Sequence, residues 1–268
     1  MKKAVFITGA ASGGGLAIAE RFAKEGWSFV ITSRGSQSAE EAAAALAAKY
    51  GVWGKGYGLD IRDEQRVIDI FNDIDANDVF VETVVLNAAD LGYGTDPAKG
   101  QDFFTVPVEE FQRVFETNLV WNFTIVRQAA LRMRDQGKGA VVFLGSNTAY
   151  RAIPGRVAYS ASKGGINAMS KAMAIDLGPF GIRCNVVLPG TIKTARWVAM
   201  GDRQIVNGRL TPIGDISDFD DIANAVWYFG TDLSKNVTGS ELIVDGGMSC
   251  QLYPQVLGTL IRKERGEE

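Results

Sequence analysis

The chain has 268 residues, 46% of them hydrophobic, with 28 basic side chains against 31 acidic ones. That length suits one large α/β unit with its own core, and the near balance of charge argues against nucleic acid as a partner. It has no histidine, which excludes Ser-His-Asp and Cys-His catalysis and the common histidine zinc sites, so no metal is expected and any general acid or base must be Tyr, Lys, Cys, Asp or Glu.

Two lysines precede the first apolar run, residues 4–8 (AVFIT). The run is too short for a signal-peptide core and glycines follow at once. No apolar run approaches the ~20 residues of a membrane span, so the expectation is a cytoplasmic protein with no membrane partner. AVFIT suits a buried parallel strand. Next come Thr8-Gly9-Ala10-Ala11-Ser12-Gly13-Gly14-Gly15 and a run of helical period that stops at Gly26. Strand, glycine-rich turn and helix form the phosphate-binding half of a βαβ unit: the glycines admit a pyrophosphate and the helix N-terminus offers free N–H groups. It is not a P-loop, because no Gly-Lys-Ser/Thr closes it.

Residues 28–33 (SFVITS) read as the second strand. An NAD-binding unit usually places an acid at its end for the ribose 2′-hydroxyl. Here Ser33 and Arg34 stand there, and a hydroxyl with a guanidinium would bind a 2′-phosphate. NADP(H) is therefore favoured, with NAD(H) the alternative if Arg34 simply points into solvent. Residues 38–49 are predicted as a helix, 53–59 as a glycine-interrupted strand ending at Asp60, and 62–77 as a helix. Residues 81–86 (VETVVL) form a strand ending at Asn87-Ala88-Ala89, where Asn87 is either a turn former or a ligand contact. Residues 90–107 are irregular, and stretches of that length are often functional.

A long helix is predicted over 108–136 with Asn118 inside it, a residue of poor helix propensity that invites a reason. Residues 140–144 are a strand with Ser146 just past its carboxyl end, the edge where open α/β sheets bind ligands. The next helix carries Tyr159 and Lys163 and runs to about residue 178. Strand 182–188 ends at Pro189-Gly190, residues 191–210 are irregular or short-helical, 219–229 a helix and 241–244 a last strand before Asp245-Gly246-Gly247. The expectation is one α/β domain over residues 1–250, a Rossmann-type doubly wound fold with a mostly parallel sheet of about seven strands, and a tail over 251–268 with a frayed tip. Cys184 lies in a strand and reads as a core thiol; two cysteines give no disulfide framework.

Tyr159 and Lys163 are four residues apart, one turn along one helix face. An unperturbed phenol has a pKa of about 10; a neighbouring ammonium favours its ionised form, so such a Tyr can exchange a proton with a substrate oxygen. Ser146 could hydrogen-bond that oxygen. In isolation the pair also fits a half-buried core tyrosine beside a solvated lysine.

Taken together, these motifs resemble the short-chain dehydrogenase/reductase family over nearly the whole chain. Thr8-Gly9-x-x-x-Gly13-x-Gly15 matches the family's cofactor loop, in which Ser12 and Gly14 also sit. Asp60, with Ile61 beside it, matches the acid that hydrogen-bonds the adenine amino group. Asn87-Ala88 matches the end of the Asn-Asn-Ala-Gly motif, Pro189-Gly190-x-Ile192-x-Thr194 the segment over the nicotinamide, and Val244-Asp245-Gly246-Gly247 the end of the last strand. Asn118, Ser146, Tyr159 and Lys163 fall in the order of the family's tetrad. The resemblance implies Tyr159 as general acid/base, Lys163 as its activator and holder of the nicotinamide ribose, Ser146 on the carbonyl oxygen, and Asn118 holding a water that links Lys163 to solvent. It implies hydride exchange between NADP(H), or NAD(H), and a secondary alcohol or ketone, in a tetramer or dimer built on the two long helices and the last strand.

Some positions depart from the pattern. Leu86 and Ala89 replace an Asn and a Gly, Gly14 replaces an Ile and should loosen the loop, and Ser12 stands where many NADP-using members have a base. A non-catalytic nucleotide-binding member is the alternative class, and it would be expected to have lost Tyr159 or Lys163. The expected substrate wall includes Tyr93, Phe103, Phe104, Tyr150, Trp197 and Met200, which suits a steroid, an aromatic ketone or an acyl chain, or is ordinary packing. Arg151, Arg156, Lys193 and Arg196 could instead meet an acidic substrate, and sugars or polyols stay open.

Overall fold

The computed structural model describes residues 1–92, 102–198 and 209–253, with 258, 262–263 and 265–266 beyond them. Seven strands form one sheet: β1 (Lys2–Ile7), β2 (Ser28–Ser33), β3 (Gly54–Gly58), β4 (Val79–Leu86), β5 (Gly139–Leu144), β6 (Ile182–Pro189) and β7 (Glu241–Val244). Their order is β3-β2-β1-β4-β5-β6-β7 and every pairing is parallel, so the expected "mostly parallel" sheet is wholly so. The helices are α1 (Gly13–Lys24), α2 (Ser36–Tyr50), α3 (Glu64–Ala76), α4 (Val108–Phe115), α5 (Trp121–Gln136), α6 (Val157–Leu177), α7 (Ala195–Val198) and α8 (Phe219–Gly230).

The inner strands carry short apolar runs because both faces are covered. In β1, Ala4 and Phe6 point into one core with Phe71 of α3, Ile125 of α5 and Ile166 of α6. Val5 and Ile7 point into the other with Phe22 of α1, Leu46 of α2 and Val226 of α8. Alternation along a strand thus serves two helical layers, each apolar. Glu82 interrupts this in β4. The β1–β4 register skips it, passing from Ala4↔Val81 to Val5↔Thr83, and its carboxylate meets Lys138 at 2.9 Å.

The predicted helix over 108–136 is not uniform. Between α4 and α5 the turn Glu116–Val120 widens, and the Trp121 N–H reaches back five residues to the Glu116 carbonyl. Asn118 lies in that wide turn and is fully buried. Cys184 is buried as expected, and burial pushes its thiol up to about 12. No helix among the described residues is long and apolar enough to cross a membrane.

Candidate active site

Strand order reverses between β1 and β4, and there a cleft of about 690 Å³ opens at the carboxyl edge of the sheet. Thr8, fully buried, locks its floor: Oγ1 accepts the N–H groups of Asn87 (3.0 Å) and Ala88 (2.9 Å). The Asn87 amide returns the contact, donating to the carbonyls of Thr8 (2.9 Å) and Gly9 (3.0 Å). Asn87 thus braces the glycine turn, and it also lines the cleft. Gly9 has φ +64°, where a side chain is strained. A β-carbon on Gly15 would lie 2.7 Å from both Ala10 Cα and Gly9 O, so only glycine lets the turn close on α1. Gly13 and Gly14 open α1 against the Phe219 ring. Ser12 precedes α1 without a side-chain capping bond, which leaves the helix's first N–H groups open to an anion.

Ser33, Arg34, Asp60, Ile61, Arg62 and Arg113 line the rest of the cleft with Asp90. Arg62 grips Asp60 in a fork, Nε–Oδ1 2.9 Å and Nη2–Oδ2 2.6 Å. These bonds, then the Arg62 N–H, and more weakly the charge of Arg34, hold the Asp60 carboxyl at about 2. Arg113 pairs with Asp90. Three guanidiniums face two carboxylates, an excess of one positive charge.

Ser146 follows β5, is 8% exposed, and accepts the Thr148 N–H at 3.2 Å. In α6, Tyr159 is half-buried and Lys163 is 3% exposed. The Lys163 ammonium donates to Leu144 O (2.7 Å) and sits 5.5 Å from the Tyr159 ring centre. Burial lowers its pKa to about 8. The Asn118 amide is engaged at both atoms: Nδ2 donates to Asp90 O and Ser162 Oγ, both at 2.9 Å, and Oδ1 accepts the Asp90 N–H at 2.8 Å. Ser162 Oγ in turn donates to Tyr159 O (2.8 Å). Asn118 therefore ties the exit of β4 and the wide turn to the helix that carries Tyr159 and Lys163. Both Nδ2 hydrogens are committed, so the expected water would have to donate, to the second lone pair of Oδ1 or to the backbone carbonyl.

A family model described as enoyl-(acyl carrier protein) reductase matches residues 9–249. Over 93% of its length the chain is 34% identical to the NADP-dependent (R)-specific alcohol dehydrogenase of Lentilactobacillus kefiri, covering 97% of that protein. It is 31% identical to the L-rhamnose 1-dehydrogenase (NAD(P)(+)) of Azotobacter vinelandii, covering 93% of this chain and 98% of that one. The chain belongs to the short-chain dehydrogenase/reductase family. It is an oxidoreductase of CH–OH groups that uses a nicotinamide cofactor. Among solved structures, ElxO with NADP bound superposes with a TM-score of 0.84 at 26% identity, covering 94% of this chain and 100% of that one. NAD⁺-bound xylitol dehydrogenase gives 0.81 at 25%, covering 91% and 98%.

The dehydrogenase's own geometry fits a dinucleotide. The turn that a β-carbon would block, the uncapped start of α1 and the positive excess at the far wall fall along one cleft. Of the residues expected on the cofactor, Gly9, Ser12, Ser33, Arg34, Asp60, Ile61, Asn87 and Ala88 line it. Ser146, Tyr159 and Lys163 lie beyond its wall at the ends of β5 and α6. Pro189, the last residue of β6, and Gly190, Ile192 and Thr194 after it also lie outside it. There the Gly190 N–H donates to Val244 O (2.9 Å), Ile192 bridges to Ser217, and Thr194 Oγ1 accepts the Trp197 N–H (3.1 Å).

At the rim, three of the four basic groups expected on an acidic substrate already have protein partners. Lys193 pairs with Asp215 at 2.5 Å, Arg156 donates to Gly92 O at 2.8 Å, and Arg151 donates to Met248 O. Tyr150 donates to Glu241. Phe103 and Phe104 stack edge-on in solvent, 69% and 91% exposed. Trp197 is half-buried. Tyr93, Met200 and the Arg196 side chain lie outside the described residues. Sequence reading missed Asp90, Ser162, Arg62 and Arg113. Only Ser162 left a signal, standing one helical turn from Tyr159.

Proposed function

We propose that this dehydrogenase interconverts a secondary alcohol and a ketone with NADP(H), using Tyr159 as the general acid/base. The observation that carries this is Lys163, a buried ammonium beside the Tyr159 ring in a chain without histidine. Desolvated, its charge acts at low dielectric and offsets the negative charge that develops on the phenol oxygen. Ser146 holds the substrate oxygen at the end of β5. Asn118 fixes α6 against the exit of β4. The glycine turn and the start of α1 take the pyrophosphate, and Arg34 with Ser33 takes the 2′-phosphate. When bound, the nicotinamide supplies or accepts the hydride. Tyr159 gives its proton to the oxygen in reduction and takes it back in oxidation. The NADP(H) choice is supported by the positive excess around Arg34 and Arg62; NAD(H) is the second reading, since Asp60 lies on the same wall.

The reading includes a second copy of the chain as partner. The groove between α5 and α6 exposes Phe123, Leu131 and Phe180, each nearly half exposed, with the cations Arg127 and Arg134 and the anion Asp176 along it. In a two-fold pair the same patch of each copy meets, and this groove carries both cations and an anion for such a meeting.

Titration of tryptophan fluorescence with NADPH and NADH, followed by ketone reduction, tests the proposal. NADPH is expected to bind about tenfold tighter, about 1.4 kcal/mol, and Arg34→Ala to erase the difference. Tyr159→Phe should keep NADPH affinity and lose about 10²–10⁴ in kcat. Full turnover by Tyr159→Phe overturns the mechanism, and equal NADH affinity in the parent overturns the cofactor choice.

A further inference from the structure

We infer that Asn122 is a positioning residue of the proton path serving Tyr159 and Lys163, fixing the Asn118 carbonyl and holding, with it, a buried water beside Lys163. The inference rests on the reading above and adds a residue that neither the motifs nor the family match singles out.

Asn122 lies in the first turn of α5, directly after the wide turn, and is 2% exposed. Its Nδ2 donates to the Asn118 carbonyl four residues back at 2.7 Å. Its Oδ1 has no hydrogen-bonding partner among the described residues. A buried amide oxygen left unpaired costs about 1–3 kcal/mol, and leucine is the better helix former here. Packing and propensity therefore give no reason for asparagine at this position. A donor for Oδ1 gives one.

Hydrogen-bond arithmetic identifies that donor. Oδ1 and the Asn118 carbonyl flank the same Nδ2, and both are acceptors, the carbonyl with a second lone pair. On the other side, Lys163 has three N–H donors, one of them committed to Leu144 O. A water that accepts from Lys163 and donates to Asn118 O and Asn122 Oδ1 makes three hydrogen bonds, the usual number for a buried water. The elements are close enough to share it. Asn118 bonds Ser162, the neighbour of Lys163, and a β-carbon on Gly165 would lie 3.0 Å from the Leu119 side chain. In ketone reduction Tyr159 gives one proton to the substrate oxygen. That proton is replaced from Lys163; the water then turns one hydrogen from a carbonyl to the lysine amine, gives up that proton, and takes one from solvent at its free lone pair. One proton moves at each stage, no electrons move, and Asn122 itself neither gains nor loses a proton.

The test compares Asn122→Leu, close in size and unable to hydrogen-bond, with Asn122→Ser, whose hydroxyl can bond the carbonyl four residues back and still accept from water. The readouts are kcat for ketone reduction, its solvent deuterium isotope effect, KM, NADPH affinity and Tm. Asn122→Leu is expected to lower kcat about tenfold and raise the isotope effect, with KM and NADPH affinity unmoved. Asn122→Ser is expected to restore most of the loss. If the leucine protein does not fold, Asn122→Ala takes its place with the same expectation. Parental kcat and isotope effect in Asn122→Leu, whatever its Tm, overturn the inference, and so does equal loss in the serine protein. A parent inactive on both ketones and alcohols removes the functional reading and this role with it; an active parent indifferent to leucine removes this role alone.

Discussion

Among the described residues one backbone carbonyl accepts from the buried Lys163 ammonium, and this burial has a thermodynamic consequence separate from turnover. Its pKa falls from 10.5 to about 8 because burial disfavours the ammonium. Between those values the unfolded chain binds the proton and the folded chain does not, so stability rises with pH across that window. Below pH 8 the full penalty applies, on the order of 3 kcal/mol. Lys163→Met removes it and also loses the bond to Leu144 O, about 1 kcal/mol. The variant is therefore expected to be about 2 kcal/mol more stable than the parent at pH 7 in urea unfolding, with the advantage shrinking from pH 8 towards 10.5, and to be nearly inactive. A variant less stable than the parent at pH 7 would show that the site carries no such strain. The i,i+4 spacing of Tyr159 and Lys163 was visible in the sequence. The partners of Arg151, Arg156 and Lys193 were not, because Met248 O, Gly92 O and Asp215 reach them only in the folded chain.

The turn after β1 shows how one element shapes the cleft proposed for the cofactor. A β-carbon at Gly15 would press on Ala10, on Gly9 O and on the Asn87 amide at 2.7–2.8 Å, all of it backbone or the brace that holds the turn. Overpacking of this kind costs about 1–3 kcal/mol. Gly15→Ala is expected to keep the circular dichroism of the parent and lose at least about tenfold in NADPH affinity. Gly14→Ala is the control, because there the neighbour is the Phe219 ring at 3.4 Å and alanine suits a helix; its affinity should stay close to parental. If the two variants bind alike, close approach at Gly15 does not shape the cleft. Elements differ in how far the sequence reveals them. The five inner strands were legible because each carries a short apolar run buried on both faces, whereas edge strand β3 (GKGYG) showed only as a glycine-interrupted run and edge strand β7 is only half-buried. The wide turn at Glu116–Val120 was not, because helical periodicity runs through it unbroken; only the poor propensity of Asn118 marked the place. Asn122 left less trace still, since a polar residue in an amphipathic helix reads as part of the solvent face.

For the whole molecule, the outer faces of α5 and α6 decide what the sheet and its two layers leave unfinished. Their inner faces bury Ile125, Ala129, Ile166 and Ala174 in one core, yet Phe123, Leu131, Phe180 and Ile175 remain 44–77% exposed on the other side. An isolated chain gains nothing from that apolar surface, whereas a second copy would remove it from water at roughly 25 cal/mol per Å². Around a two-fold axis every groove residue faces its own equivalent region. A carboxylate placed at Leu131 would therefore enter twice, its desolvation only partly offset by Arg127 and Arg134, which already pair with Glu64 and Asp135. Leu131→Glu is expected to lower the mass in sedimentation velocity to that of a smaller species, with secondary structure intact because the position is already 44% exposed in the single chain. Unchanged mass, or a parent that sediments as a monomer, would assign the groove to something other than a second copy. The same helix face has a bearing on turnover. Lys163 and Tyr159 stand at the start of α6, and the wide turn stands at the start of α5. Dissociation that frees these helices should lower kcat and weaken NADPH binding together, because Arg113 of α4 and Thr117 of the wide turn also line the cleft between β1 and β4.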